Sequence, residues 1–417
     1  MADSIGFINN TLHVEETSLV DIAQRVGTPT FVYSKAILTD RYEQLANALA
    51  GVEHRIHYAV KANSNLKVLE LFHCLGAGFD IVSGGELSRV LAIGGDPASV
   101  IFSGVGKTTQ EIDFALKTGI GCFNVESRSE LLRIVARAEI LHCTAPISIR
   151  VNPNVDAQTH PYISTGLKEN KFGVTANEAL ELYAIADASA HAEVRGIDCH
   201  IGSQINQSEP LLQALTSLLE IVDELAARGI ALQHIDLGGG FGVTYQDEPD
   251  LDLAQYGASV QQLLGGRELR VQVEPGRCLT ANAGVLLSRV EYLKPSPQSG
   301  APNFAVIDAA MNDLIRPALY QAWHDVVPVT HSQTPQMVWD VVGPVCESGD
   351  FIAKERNLSL AEGDLVAIMS AGAYGMVQAS NYNSRGRACE VMIDGANLKI
   401  IRRRENISDQ LRLELEV

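Results

Sequence analysis

The chain has no excess of positive charge. Its 50 acidic residues outnumber 32 basic ones, giving a net charge of -18 over 417 residues, which argues against a nucleic-acid or anionic-membrane surface. No uninterrupted apolar run approaches the roughly 20 residues a bilayer span needs. Met1-Ala2-Asp3-Ser4 brings an acid where a signal peptide has a basic region followed by an apolar stretch, so the expected location is cytoplasmic. The seven cysteines are scattered, odd in number and without a Cys-x-x-Cys pair, which suggests neither a disulfide framework nor a zinc site. Most read as small core residues; Cys346 differs, because Glu347, Ser348 and Gly349 follow it. His54 and His57 would face opposite sides of a strand, and no metal is assigned. Internal repeats, low-complexity stretches and charge blocks are also missing. Pro295 to Pro302 reads as a surface loop.

What is present is a soluble globular balance, 46% hydrophobic, with length enough for two or three domains. Lys61 stands out, because it ends the run Ile56-His57-Tyr58-Ala59-Val60. A lysine there either snorkels to water or is a Schiff-base lysine, whose amine loses its proton readily when desolvated. Taken alone, Lys61 decides nothing.

Between residues 55 and 277, short β-branched runs alternate with helical patterns, as in βαβ units. Eight runs are readable: Arg55 to Val60, Gly78 to Val82, Ser99 to Ser103, Gly121 to Val125, Pro146 to Val151, Gly196 to Ile201, His234 to Leu237 and Leu269 to Val273. Thr108 before Glu111 and Ser127 before Glu130 have capping-box spacing at helix starts. The expected fold is α/β, a (β/α)8 TIM barrel over 36–279. Catalytic residues in such barrels collect at the C-terminal ends of the strands, and Lys61, Asp80, Arg150, His200, Gly238 to Gly240 and Glu274 to Arg277 all fall at or near them. The longest connection holds His160 to Gly166 and Lys171-Phe172-Gly173, read as a loop over the barrel or as a solvated insertion. After residue 280 the pattern becomes strands at Phe304 to Ile307, Met337 to Val342, Asp364 to Met369 and Ala388 to Ile393. These form a C-terminal β-rich domain, which residues 1–35 are expected to join through Leu12 to Val14 and Pro29 to Tyr33.

Two glycine motifs are lures. Gly238-Gly239-Gly240-Phe241-Gly242 misses the dinucleotide fingerprint at Val243, although its backbone could cradle a phosphate. Gly104-Val105-Gly106-Lys107-Thr108 resembles the end of a P-loop but has Ile101 where the first glycine belongs, so Lys107 and Thr108 read as the start of a helix. Glu274 closes the eighth strand before Pro275-Gly276-Arg277 and could hold the proton on a pyridine nitrogen. His200 could lie flat against such a ring, and Ser203 could offer a hydroxyl to phosphate or substrate.

Tyr58-Ala59-Val60-Lys61-Ala62-Asn63, His200-Ile201-Gly202-Ser203, Gly238 to Gly242, Glu274-Pro275-Gly276-Arg277 and Cys346-Glu347-Ser348-Gly349-Asp350 occur in this order. The set resembles the barrel-type (fold type III) pyridoxal-phosphate decarboxylases across nearly the whole chain, and within them the branch acting on meso-2,6-diaminopimelate. The resemblance implies pyridoxal 5'-phosphate as cofactor, carried by Lys61, with Glu274 at its ring nitrogen and His200 stacked on the ring. It implies a phosphate held by Gly239, Gly240, Gly276 and Tyr374, and a pocket supported by Asp80, Glu86 and Arg150. Arg277, Arg316, Tyr320, Glu347 and Tyr374 would bind substrate, and Cys346 would donate a proton. The implied activity is decarboxylation at the D centre to give L-lysine, the last step of lysine biosynthesis. The implied catalytic unit is a homodimer whose subunits share active sites, with neither nucleic acid nor membrane as partner. A cation for the distal carboxylate (Arg316 or Arg277) and an acid for the distal ammonium (Glu347) favour a substrate with amino and carboxyl groups at both ends. The alternatives are a relative acting on ornithine, lysine, arginine or carboxynorspermidine, an alanine-racemase-like activity, and a non-catalytic homologue.

Overall fold

The structure, a computed structural model, describes residues 4–155, 171–298 and 300–416. The chain divides into a unit of Arg41–Val243 with Pro249–Cys278, and a unit of Met1–Asp40, Thr244–Glu248 and Leu279–Val417.

The first unit is the expected barrel. Its strands are β1 (His54–Ala59), β2 (Gly78–Ile81), β3 (Val100–Phe102), β4 (Cys122–Val125), β5 (Ala145–Arg150), β6 (Ala192–Asp198), β7 (His234–Asp236) and β8 (Arg270–Val273). They pair in parallel and close in the order β6-β7-β8-β1-β2-β3-β4-β5. Side chains alternate across a strand, so the apolar residues Phe79, Ile81, Phe123, Val125, Ile147, Ile149, Ile197, Ile235, Val271 and Val273, all fully buried, share the face that packs on helices. The intervening positions turn inward, and toward the strand ends they are polar: Asp80, Asn124, Arg150, Asp198, Asp236 and, one step past β8, Glu274. Helix starts are fixed by side-chain caps. Thr108 and Glu111 make a full capping box, Ser127 accepts from Glu130 N, and Ser83 accepts from Glu86 N.

The sixth strand differs from its expected span of Gly196 to Ile201. It begins at Ala192 and leaves the sheet after Asp198, with a bulge between Val194 and Gly196. The Glu193–Arg195 ion pair, 2.8 Å and part-exposed, disguises its first half as polar loop.

In the second unit, β9 (Gly284–Lys294) is the spine. It pairs antiparallel with Thr30–Ser34, Phe304–Ile307 and Leu365–Ile368. Met337–Val342 and Cys389–Asp394 lie near their expected spans, whereas β9, Phe351–Leu358, Asn397–Arg402 and the helix Ile407–Leu415 add to the expected set. Leu12 and Val14 belong to a separate three-stranded sheet, Ile5–Ile8, Thr11–Val14 and Thr17–Ser18. They pack into a core with Leu19, Val32, Val285, Leu287 and Val391 of the same unit. Among the described residues, no helix is long and apolar enough to cross a membrane. All seven cysteines are free; Cys122, Cys199 and Cys389 are buried, but Cys143 and Cys278 are only half-buried and Cys74 is exposed, so fewer sit in the core than expected.

Candidate functional site

The C-terminal ends of the barrel strands carry a dense polar constellation. Lys61 lies in the 3-10 turn Val60–Ala62 that follows β1, and its Nζ donates to Asp80 Oδ2 at 2.6 Å. The lysine side chain is 35% exposed and the aspartate fully buried, so the amine faces the opening while its partner anchors it from within. Glu274 Oε1 accepts from Ser103 Oγ at 3.2 Å and Asn124 Nδ2 at 3.3 Å. Glu126 takes Arg150 Nη1 at 2.8 Å and Gly104 N at 3.2 Å on one oxygen, and Gly173 N at 2.8 Å on the other. Arg150 also approaches Asp198 Oδ2 at 3.9 Å, donates to His200 O at 3.3 Å, and lies 4.9 Å over the Phe172 ring. Arg277 donates to Ser203 Oγ through Nε at 3.2 Å and Nη2 at 2.9 Å.

Carboxylates crowd this site. Oxygens of Asp198, Asp236 and Glu274 lie within 4.8 Å of one another, all three residues buried. Like charges so close and so dry cannot all ionise. Burial, then the charges of Asp80, Asp236 and Asp198, raise the Glu274 pKa well above its ordinary value. Burial and Asp198 do the same to Asp236. Asp198 rises too, from burial, against the pull of Arg150. Among the described residues, Asp198 Oδ1 and Asp236 Oδ2 are buried without a hydrogen-bond partner, so the cluster suits a neighbouring cation or proton donor. Glu86, whose Oε2 accepts from Val82 N at 2.7 Å, is pushed up to about 7, chiefly by burial. His200 goes the other way: burial, then Arg150 and Lys61, lower its pKa far below the ordinary value. Its Nδ1 accepts from Gly239 N at 3.1 Å, so the neutral ring carries its proton on Nε2.

The glycines allow close backbone approach. A Cβ on Gly239 would lie 2.1 Å from Glu274 O, and one on Gly276 would lie 2.9 Å from Ala62 Cβ. Gly240, at φ +95°, would place a Cβ 2.5 Å from Gly202 O, so both conformation and space exclude side chains there.

The sheet unit holds a second set. Arg316, 6% exposed, begins the short helix Arg316–Tyr320. Its Nη1 lies 2.8 Å from His324 Nε2 and its guanidinium 4.8 Å over the Tyr245 ring. Tyr320 closes the helix, half-buried. Cys346 and Glu347 are exposed on a loop whose shape depends on Asp350. That carboxylate accepts from Met311 N and Val345 N, both at 2.7 Å, while Cys346 N donates to Asn383 Oδ1 at 3.0 Å. Glu347 accepts from the Tyr382 hydroxyl, holding the phenol above its ordinary pKa. Tyr374 sits at φ +56°, a conformation that costs a bulky residue energy and persists only where its surroundings impose it.

The barrel thus gathers Lys61, Asp80, Glu86, Arg150, His200, Ser203, Gly239, Gly240, Glu274, Gly276 and Arg277, and the sheet unit carries Arg316, Tyr320, Cys346, Glu347 and Tyr374. Of the loop over 160–173, residues 160–170 lie outside the described residues. Sequence reasoning missed Ser103, Asn124, Glu126, Asp198, Asp236 and His324. For Asn124, Asp198 and Asp236 the signal was available: each is a polar residue at an inward position, next to a fully buried apolar residue of its strand (Phe123, Ile197 and Ile235). Lys107 proves structural, as its reading as a helix start implied: buried, it donates to Glu130 Oε1 at 2.7 Å, Asn124 O at 2.7 Å and Gly104 O at 2.8 Å.

Residues 35–281 match the family described as "Pyridoxal-dependent decarboxylase, pyridoxal binding domain". The chain is 56% identical to a diaminopimelate decarboxylase of Pseudomonas aeruginosa over 98% of this chain and 97% of the relative. It is 52% identical to one of Neisseria meningitidis over 97% of each. A solved structure of diaminopimelate decarboxylase from Helicobacter pylori, complexed with L-lysine, superposes with a TM-score of 0.92 at 43% identity, covering 95% of this chain and 99% of that one.

Proposed function

The chain belongs to the diaminopimelate decarboxylases of the pyridoxal-dependent decarboxylase family, and from that membership we propose that it binds pyridoxal 5'-phosphate in its barrel and converts meso-2,6-diaminopimelate to L-lysine and carbon dioxide, the last step of lysine biosynthesis. The observation that carries the site assignment is the Lys61 amine, 2.6 Å from buried Asp80, at the same strand ends as a Glu274 held by two donors. The residues suit the cofactor. A protonated ring nitrogen matches a carboxyl group surrounded by further carboxylates, a phosphate matches backbone brought close by glycine, and an aldehyde matches a half-exposed amine.

Bound pyridoxal phosphate supplies an electron sink for the carbanion left when carbon dioxide departs. Lys61 is the amine that carries it. Asp80 keeps that amine in position, and Glu274 would pair as a carboxylate with the protonated ring nitrogen, whose positive charge offsets the burial and the neighbouring carboxylates that otherwise favour a proton on Glu274 itself. His200, neutral with its Nδ1 occupied by Gly239, offers a flat face without adding charge. Gly239, Gly240, Gly276, Ser203 and Tyr374 hold the phosphate, and Arg150 and Glu86 support the pocket. Arg277, Arg316, Tyr320, Glu347 and Tyr374 hold the substrate. Arg277 and Arg316 are both buried guanidiniums, which a distal carboxylate suits and a simple diamino acid does not. Cys346 delivers the proton that replaces the departing carboxylate. The working division is a barrel of 36–279 and a β domain of 1–35 with 280–417. The catalytic unit is a cytoplasmic homodimer in which Cys346 and Glu347 of one subunit complete the site of the other. Borohydride reduction of the cofactor-loaded enzyme followed by peptide mapping tests the assignment: the cofactor mass is expected on the peptide carrying Lys61, and its appearance on another lysine would contradict the reading.

A further inference from the structure

His324 is fully buried in the sheet unit, and both ring nitrogens are engaged. Nδ1 lies 2.9 Å from Met369 O, and Nε2 lies 2.8 Å from Arg316 Nη1. A carbonyl can only accept and a guanidinium can only donate, so Nδ1 carries the proton and Nε2 presents its lone pair to Arg316. The tautomer is fixed by the backbone. The ring is held further by Tyr245, edge-on with centroids 5.5 Å apart, and the carbonyl of His324 accepts from Arg356 Nη2 at 3.2 Å. Tyr245 also lies under the Arg316 guanidinium. One aromatic face and one ring nitrogen together fix the plane and rotation of a guanidinium, the two variables that decide whether it can meet a carboxylate in the two-pronged geometry.

We infer that His324 is a positioning residue for substrate choice, orienting Arg316 toward the carboxylate of the substrate end that is not decarboxylated. The inference rests on the assignment of Arg316 to that carboxylate.

The chemistry provides a direct test, because L-lysine retains that carboxylate and 1,5-diaminopentane lacks it. In the cofactor-loaded enzyme, His324→Phe keeps a ring but removes the acceptor, whereas His324→Gln restores an oxygen near the Nε2 position. His324→Phe is expected to weaken inhibition by L-lysine and raise KM for meso-diaminopimelate about 10-fold, the scale of a lost hydrogen bond to a charged group. Inhibition by 1,5-diaminopentane and kcat should stay within about 3-fold, and His324→Gln should recover most of the loss. Should the phenylalanine variant fail to fold, His324→Asn, which can still reach Met369 O but not Arg316, is measured in the same way. Equal weakening of both inhibitors, or of neither, would overturn the positioning role. Arg316→Met separates the two readings: if it leaves KM and L-lysine inhibition unchanged, the assignment of Arg316 fails, and if it raises KM and weakens L-lysine inhibition while His324→Phe does neither, only the role of His324 fails.

Discussion

Replacing Gly239 by alanine asks the fold to accommodate a Cβ that would lie 2.1 Å from Glu274 O and 3.0 Å from Glu274 C. Real Cβ contacts essentially never fall below 3.0 Å, so the glycine loop and the end of β8 must separate by about 1 Å. Two couplings pass through this point. Gly239 N donates to His200 Nδ1, and the Glu274 side chain is registered on Ser103 and Asn124. A misplacement of that size at reacting groups costs on the order of 10²-fold in rate, so kcat/KM for Gly239→Ala should fall by about that factor, with weaker retention of pyridoxal phosphate in equilibrium dialysis. Gly106→Ala is the control, because its Cβ would meet nothing within 4 Å among the described residues, and its activity should match the parent. A Gly239→Ala enzyme within about 3-fold of the parent, with normal cofactor retention, would show that the close approach of Gly239 to Glu274 does not position the reacting groups.

Further outcomes follow from the same geometry. Lys61→Ala should abolish both turnover and the absorbance of lysine-linked cofactor, so retention of both would exclude Lys61 as carrier. Lys107→Met strands the buried Glu130 carboxylate, a loss on the order of 3–5 kcal/mol, readable as a lower denaturant midpoint and partly recovered by adding Glu130→Gln. Glu86 holds its proton more tightly folded (pKa about 7) than unfolded (about 4.3). The folded state therefore binds more protons between those values, and stability falls as pH rises through them. Glu86→Gln should be neutral near pH 4 and stabilising near pH 8 by up to about 4 kcal/mol, checked by unfolding of the cofactor-free protein at both pH values. Cys346→Ala should lower kcat by about 10²-fold or more while leaving bound cofactor unchanged, as absorbance and single-turnover measurements would show.

Much of the barrel was legible because each strand buries one apolar face, and residues such as Ile147, Ile149, Val271 and Val273 mark it. Lys61 and Glu274 were legible for the opposite reason, as charged groups at the ends of such runs. Asp198 and Asp236 carry the same mark within their strands, but the eye takes an isolated acid for a solvated one. In the structure both are buried and help set the proton affinity of Glu274. β9 was missed because its first half, Gly284 to Leu287, is wholly buried while Glu291 and Tyr292 are exposed, so no single period spans it. Asn397–Arg402, mostly exposed or half-buried, lacks the alternation that announces a strand. His324 could not be found from spacing, because its meaning depends on Met369, 45 residues away.

Decarboxylation of meso-diaminopimelate can be tested on the purified protein supplied with pyridoxal phosphate. Carbon dioxide and L-lysine release should be measured from meso-diaminopimelate, with L-ornithine, L-arginine and L-lysine as parallel substrates. Release from meso-diaminopimelate alone is the predicted result, whereas release only from a diamino acid lacking the second carboxylate would contradict the account.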